Sequence, residues 1–263
     1  MRFDTALKKP ELLEIIKILD SLSFKIVFVT SDRGSDNAAL ANKLGITPEH
    51  PYFEHPVRNW ETIFYMYDVP HLIKLMRNAL LKWGFILPEL SYDSCLELGL
   101  NPVDEATQNR CPVIKDMFDT VRRDVDKSRS EINIAHKLRN PALYEVNSLD
   151  KQRVKTACQL LSGTMATTMR RLYPGNVPMM RLSDFVKKAN QWFDILNSTN
   201  LSHINPWKCA YGVSYDDQKK ALLEFKQYVL DTEVMNPQND TTNYIGKKKS
   251  FLFRDDVTLE TNI

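Results

Sequence analysis

The sequence is poor in the motifs that mark several common enzyme classes. It has only 8 glycines among 263 residues, and none of them forms a GxxxxGK[ST], GxGxxG or GxSxG motif. An HExxH motif is also absent. The chain therefore has no ordinary phosphate-binding loop, and nucleophilic or zinc-dependent hydrolysis has no support. An ordinary small GTPase or kinase is disfavoured for the same reason.

Cysteine, net charge and long apolar runs are also scarce. The four cysteines are far apart, with no CxxC or zinc-finger spacing, which favours reduced intracellular thiols. A formal net charge of +2 argues neither for nor against nucleic acid. No apolar run approaches the roughly 18 residues of a membrane span, and no signal peptide begins the chain. We expect a soluble protein of the cytosol or nucleus with no membrane association.

What is present is a hydrophobic content of 43%, enough for a globular core, and an alternation of helix and strand over the first ~90 residues. The strand pattern over Phe24–Thr30 has little alternation, so we expect it to be buried on both faces. The predicted elements are, in order, a helix from Pro10, this strand, a helix over Asn37–Leu44, a strand over Ile63–Tyr67 and a helix that begins with Pro70. The helix over Asn37–Leu44 is predicted to be capped by Asp36 and to end at Gly45.

From about Leu87 onward the strand signals disappear and helical patterns follow. Helices are predicted over Lys151–Leu172, Leu182–Ser198 and Asp216–Leu230, and the polar segment after Thr232 is predicted to be a loop or linker. The fold class is therefore predicted to be α/β followed by a mostly α-helical domain, with the boundary between Asp68 and Leu90.

Asp32 is the first candidate functional residue, because it follows a predicted strand directly. Carboxylates at strand ends can hold the divalent ions of two-metal phosphoryl chemistry, and Mg²⁺ prefers such oxygen ligands. The alternative is that Asp32 forms the turn that follows. Asp68 ends the next predicted strand, and His71 and Lys74 lie one turn apart at the helix start beyond it. That start could bind a phosphate or be a capped, solvated helix end.

A polar stripe on the predicted helix Leu182–Ser198 is the other candidate. It consists of Lys187, Asn190, Asp194 and Asn197, so that Asp194 and Asn197 share a side of the helix. Guanine presents two adjacent donors, its ring N–H and its amine, and a carboxylate presents two acceptors that match them. The alternative is a solvated helix face.

Four stretches, taken together and in order, resemble the P-element family of DNA transposases, which includes the THAP-domain transposases of animals. They are VTSDRGSDN, DVPHLIKLMRNAL, VKTACQLLSGTMA and FVKKANQWFDILNST. The resemblance covers about residues 10 to 200. It implies an RNase H-like catalytic fold interrupted by a largely helical insertion domain that binds GTP.

The resemblance also implies roles for single residues. Asp32 corresponds to the second acidic residue of a Mg²⁺-binding catalytic triad. Asp194 and Asn197 resemble the pair that reads guanine, and Lys137 and Val154 fall where the family has further nucleotide contacts. The triad's first Asp lies on an earlier strand than this chain contains, its Glu lies in a QDxxE-like stretch not seen here, and there is no zinc-binding THAP module.

These features together predict three segments: a partial RNase H-like domain over 1–67, a GTP-binding insertion domain over 68–222 and a linker over 223–263. The expected function is that of a fragment of a nuclear DNA transposase, inactive alone, whose partners are transposon-end DNA, GTP, Mg²⁺ and further copies of the full-length protein. The alternative is a domesticated, non-catalytic remnant that binds DNA or protein without nucleotide.

Overall fold

The structure is a computed structural model that describes residues 7–47, 49–127, 138, 140–145 and 152–235. The described residues form two compact units, one ending at Leu72 and the other beginning at Ile73. Helix and strand are mixed, as the fold class predicted. The segment boundaries at 67/68 and 222/223 stay predictions.

The first unit contains a three-stranded sheet with helices. Its elements are α1 (Lys9–Ser21), β1 (Phe28–Ser31), α2 (Ser35–Leu44), β2 (Tyr52–Glu54), β3 (Thr62–Tyr67) and the beginning of α3 (Val69–Trp83). The strand order is β1–β3–β2, with β1 parallel and β2 antiparallel to β3. Ser31 lies opposite Tyr67, so Asp32 and Asp68 follow two neighbouring strands at the same edge of the sheet.

The strand predicted over Phe24–Thr30 is shorter and more exposed than expected. β1 covers Phe28–Ser31, and the side chains of Phe24 and Phe28 are 60% and 57% exposed. A strand is buried on both faces only where other elements cover both faces of its sheet. Among the described residues β1 pairs with β3 alone, and Phe64 beside Phe28 is also exposed. The expectation of burial on both faces was therefore wrong.

The start of α2 also differs from the prediction. Gly34 is the N-cap, and Asp36 lies within the first turn, where a carboxylate interacts favourably with the helix dipole. Oδ1 of Asp32 accepts from the N–H of Gly34 itself, so Asp32 forms the turn that leads into α2. Gly45 is confirmed as the stop, with a left-handed φ of 83° that favours glycine.

The second unit is mostly helical and contains a small antiparallel sheet of order β5–β4–β6. Its strands are β4 (Phe85–Leu87), β5 (Cys111–Val113) and β6 (Glu233–Val234). Its helices after α3 are α4 (Tyr92–Leu98), α5 (Glu105–Gln108), α6 (Lys115–Lys127), α7 (Val154–Leu160), α8 (Gly163–Leu172), α9 (Val177–Leu196) and α10 (Tyr215–Leu230). The expectation of no strands beyond Leu87 was wrong, because strands of two or three residues are too short to show a period.

The single helix predicted over Lys151–Leu172 is two helices. α7 ends at Leu160, and Ser162 caps α8 by accepting a hydrogen bond at Oγ from the Met165 N–H (3.2 Å). Serine is a favoured N-cap because its side chain satisfies a backbone donor that the helix leaves unpaired. The apolar seam runs through the break, since Leu161 and Met165 are both buried.

Helix α9 is the central element of the second unit and packs against both α8 and α10. It begins at Val177, earlier than the predicted Leu182, because Asn176 caps it and Pro178 fits the first turn. Phe185 is fully buried on this helix, with its ring edge-on to Phe85 of β4 at 5.7 Å. In the C-terminal half of α9, which carries Asn190 and Asp194, the ring of Trp192 packs against that of Phe225 on α10 at 5.6 Å.

Candidate functional site

Asp32 lies directly after β1, as predicted. Its Oδ1 accepts hydrogen bonds from the Gly34 N–H (2.9 Å) and from Nδ2 of Asn37 (2.7 Å). The turn-forming alternative therefore accounts for one of its two carboxylate oxygens.

Asp68 has an equivalent place at the end of β3. Its N–H donates to the carbonyl oxygen of Ser31 (2.7 Å), and its Oδ2 accepts from the His71 N–H (3.0 Å) at the start of α3. The second bond is a helix-capping interaction. A phosphate-binding role for His71 and Lys74 stays a prediction.

The described residues do not by themselves fit a two-metal site. Over the ranges 7–47, 49–127, 140–145 and 152–235, no group of three or more His, Cys, Asp or Glu side chains could hold a metal ion. Two-metal chemistry needs several ligands on two ions. We therefore derive no catalytic step from Asp32.

The polar stripe on α9 separates into two parts. Asn190 and Asp194 are joined by a hydrogen bond from Nδ2 of Asn190 to Oδ2 of Asp194 (2.9 Å). Lys187 instead pairs with both carboxylate oxygens of Glu97 on α4, at 2.5 and 2.7 Å. Asn197 is the exposed C-cap residue of the helix. The centre of the candidate site is therefore Asp194 with Asn190.

Asn190 also connects this carboxylate to the next helix. Its Oδ1 accepts from the N–H of Gly163, the first residue of α8, at 3.2 Å. The amide group thus donates at one end and accepts at the other. Reversing the amide would place a donor against the Gly163 N–H and an acceptor against the carboxylate, so these two bonds define its orientation.

Asp194 has opposing electrostatic influences. Burial raises its pKa, while the charge of Lys208, the hydrogen bond from Asn190 and the charge of His203 lower it, with a net upward shift. Burial also raises the pKa of the Cys158 thiol on α7 to about 11, and the nearby charge of Asp194 adds to that shift. Asp194 therefore lies among α7, the start of α8 and the loop after α9.

Val154 is the first residue of α7 and is half-buried. It lies one helical turn before Cys158, so the two share a face of α7. The charge of Asp194 influences the Cys158 thiol. Lys137, the other residue assigned a nucleotide contact by resemblance, lies outside the described residues.

His203 and Lys208 were missed by sequence reasoning. Both are exposed and lie in the segment between α9 and α10, which carries no periodic signal. A hydrogen bond from the Ser198 hydroxyl to the carbonyl oxygen of Lys208 brings this segment back toward the end of α9. Their proximity to Asp194 depends on this return of the chain, which no local pattern indicates.

A cleft of about 600 Å³ on the second unit has a different lining. Carboxylates outnumber cations there, with six acidic side chains against three lysines. The acidic residues are Glu89, Asp93, Glu97, Asp217, Glu224 and Asp231, and the lysines are Lys187, Lys188 and Lys220. A triphosphate is unfavourable in such surroundings, and Asp194 is not part of the lining.

No protein-family model matches the sequence. The chain is 32% identical over 225 residues to a Drosophila melanogaster protein described as "Transposable element P transposase", a match covering 84% of this chain and 27% of that protein. It also matches the solved structure titled "Drosophila P element transposase strand transfer complex", with a TM-score of 0.75 and 27% identity over 99% of this chain and 52% of the solved chain.

Both proteins that the chain is similar to are transposases by their descriptions. More particularly, the resemblance to the P-element family is confirmed in sequence and in fold. The chain spans about a quarter of the length of the curated relative and about half of the solved chain. No described helix is long and apolar enough to cross a membrane.

Proposed function

We propose that this chain is part of a P-element-type DNA transposase and that its helical unit binds a guanine nucleotide through Asp194. The observation that carries the proposal is the environment of Asp194: it is partly buried, oriented by Asn190 and has a raised pKa. A carboxylate whose ionised form is destabilised by burial is typical of functional sites. Two donors from a guanine base would stabilise its ionised form.

The rest of the nucleotide site follows from the same assignment. Asn197 at the end of α9, Val154 at the start of α7 and Lys137 are proposed as further contacts. Because the sequence has no ordinary phosphate-binding loop, we propose that GTP organises the protein and is not hydrolysed as fuel. The residues around Asp194 fit a guanine base, which would bring two hydrogen-bond donors to this carboxylate.

The role in DNA transposition rests on the relatives. We propose that the first unit is part of an RNase H-like fold, that the parent protein acts in the nucleus on transposon-end DNA and that its copies self-associate. Asp32 would be one Mg²⁺ ligand among several, the others lying outside the described residues. This chain alone would then have no strand-transfer activity, because one carboxylate cannot hold two metal ions.

Titration with GTP, XTP and ATP tests the nucleotide proposal. Wild-type protein should bind GTP selectively, and Asp194→Asn should lose about a hundredfold or more in GTP affinity, since the charge is removed and the amide places a donor against one of the two guanine donors. Xanthine carries a carbonyl oxygen where guanine carries its amine, so the same variant should gain affinity for XTP. The matched control is Asp116→Asn, an exposed aspartate of α6.

Two results would count against the proposal. One is the absence of saturable, guanine-selective binding by the wild-type chain. The other is an equal effect of Asp194→Asn and Asp116→Asn. Salt-dependent DNA binding without any influence of GTP would instead support a non-catalytic remnant.

A further inference from the structure

Asn190 makes two hydrogen bonds, one to a different helix and one within α9. Its Oδ1 accepts from the Gly163 N–H, 27 residues away, and its Nδ2 donates to Oδ2 of Asp194 one turn further along α9. Both bonds are partly buried. A partly buried amide with satisfied donor and acceptor holds a fixed orientation and fixes its partners in turn.

We propose that Asn190 is a positioning residue for the guanine-binding carboxylate. It holds Oδ2 of Asp194 toward the start of α8, and this fixes the direction of the other carboxylate oxygen as well. The inference rests on the proposed function, because it assigns a partner to the same site. Asn190 itself need not touch the nucleotide. Its effect passes through the orientation and the charge of Asp194.

The charge matters because only an ionised carboxylate presents two acceptors to the two guanine donors. A protonated Asp194 would present a donor at one oxygen and would oppose the base there. Burial favours that protonated form, and the hydrogen bond from Asn190 works against it. Removing the bond should therefore weaken GTP binding and move its loss on acidification to higher pH.

The other groups that influence Asp194 must be controlled. They are Lys208 and His203 from the segment after α9 and Cys158 from α7. Histidine changes charge in the pH range to be used. The titrations should therefore be done in a His203→Asn background, where the amide oxygen can replace the ring nitrogen that accepts from the Asn205 N–H.

Asn190→Ala is the sharpest variant, because it removes the donor to Asp194 without adding a charge beside that carboxylate. GTP affinity should fall about ten- to a hundredfold at pH 7.5, the loss expected for one bond to an ionised group. The pH at which half the affinity is lost should rise. Asn190→Asp, which keeps the shape and the acceptor for the Gly163 N–H but adds a charge beside Asp194, is the second variant if the first does not fold.

The GTP affinity is measured from pH 5 to 8, and the urea unfolding midpoint is measured for the same proteins. Together the two measurements separate three cases. A weaker GTP affinity with an upward pH midpoint supports positioning. Unchanged GTP affinity, or a lower affinity and a lower urea midpoint without any movement of the pH midpoint, overturns it. If the wild-type chain shows no Asp194-dependent GTP binding, the proposed function itself has failed, which is a distinct result.

Discussion

Arg181 is a buried cation on the apolar face of α9, and its replacement by methionine should destabilise the second unit strongly. The side chain is fully buried. It donates from one terminal nitrogen to the carbonyl oxygen of Pro88 (2.9 Å) and from the other to those of Ala106 (3.1 Å) and Thr107. Arg181→Met keeps most of the aliphatic volume and removes all three donors.

The magnitude follows from these bonds. The Thr107 carbonyl also accepts from the Leu90 N–H (3.3 Å), so it keeps a partner in the variant. A buried carbonyl that loses its partner costs about 1–3 kcal/mol, so the carbonyls of Pro88 and Ala106 would together cost on the order of 2–6 kcal/mol. Part of this loss in unfolding free energy is offset, because methionine is uncharged and the desolvation of a buried cation is avoided. Arg181 also has a buried Nε without a partner, so its desolvation is not fully compensated. We expect a net loss of about 3 kcal/mol.

Urea unfolding followed by tryptophan fluorescence measures this loss. Trp83, Trp192 and Trp207 belong to the second unit, while Trp60 belongs to the first and is fully exposed. A Trp60→Phe background therefore restricts the signal to the second unit.

Arg171→Met is the matched control for Arg181→Met, since Arg171 is an exposed arginine of α8, and it should change the unfolding free energy by less than about 0.5 kcal/mol. A loss below about 1 kcal/mol for Arg181→Met would refute the reasoning, because it would mean that the carbonyls of Pro88 and Ala106 find other partners.

Two further predictions concern the acidic residues of the candidate sites. A carboxyl whose pKa is raised by folding makes stability fall as pH rises from its unfolded value, about 4, through the folded value. Without nucleotide, Asp194→Asn should therefore be more stable than wild type at pH 7 and should lack that fall; a urea series from pH 4 to 7 showing parallel curves would contradict this. For Asp32, replacement by alanine should cost about 1 kcal/mol by removing two hydrogen bonds to Oδ1, whereas asparagine should cost close to nothing because its oxygen can accept the same bonds. Equal losses for the two variants of Asp32, measured by thermal unfolding, would show that its charge and not the turn stabilises the first unit.

Much of the fold could be predicted where the signal is local. The apolar spacing of α9 and α10 indicated both helices, and the left-handed glycine at Gly45 ended α2 as expected. The failures were also physical. Ser162 caps α8 in the middle of a continuous apolar seam, so the single predicted helix is divided into α7 and α8. The burial of Phe28 depends on what covers its sheet, which a run of apolar residues does not reveal.

The order of residues along the chain identifies which side chains could act: a carboxylate after each of two strands, and an Asn and an Asp one turn apart on a helix. It also carries the resemblance to the P-element transposases. Which of these residues meet depends on tertiary packing. Asn190 reaches Gly163, and His203 and Lys208 come close to Asp194, because helix packing and a returning loop join segments far apart in the chain. Such contacts leave no periodic trace in the sequence, since they depend on how the elements pack and not on any local conformational preference.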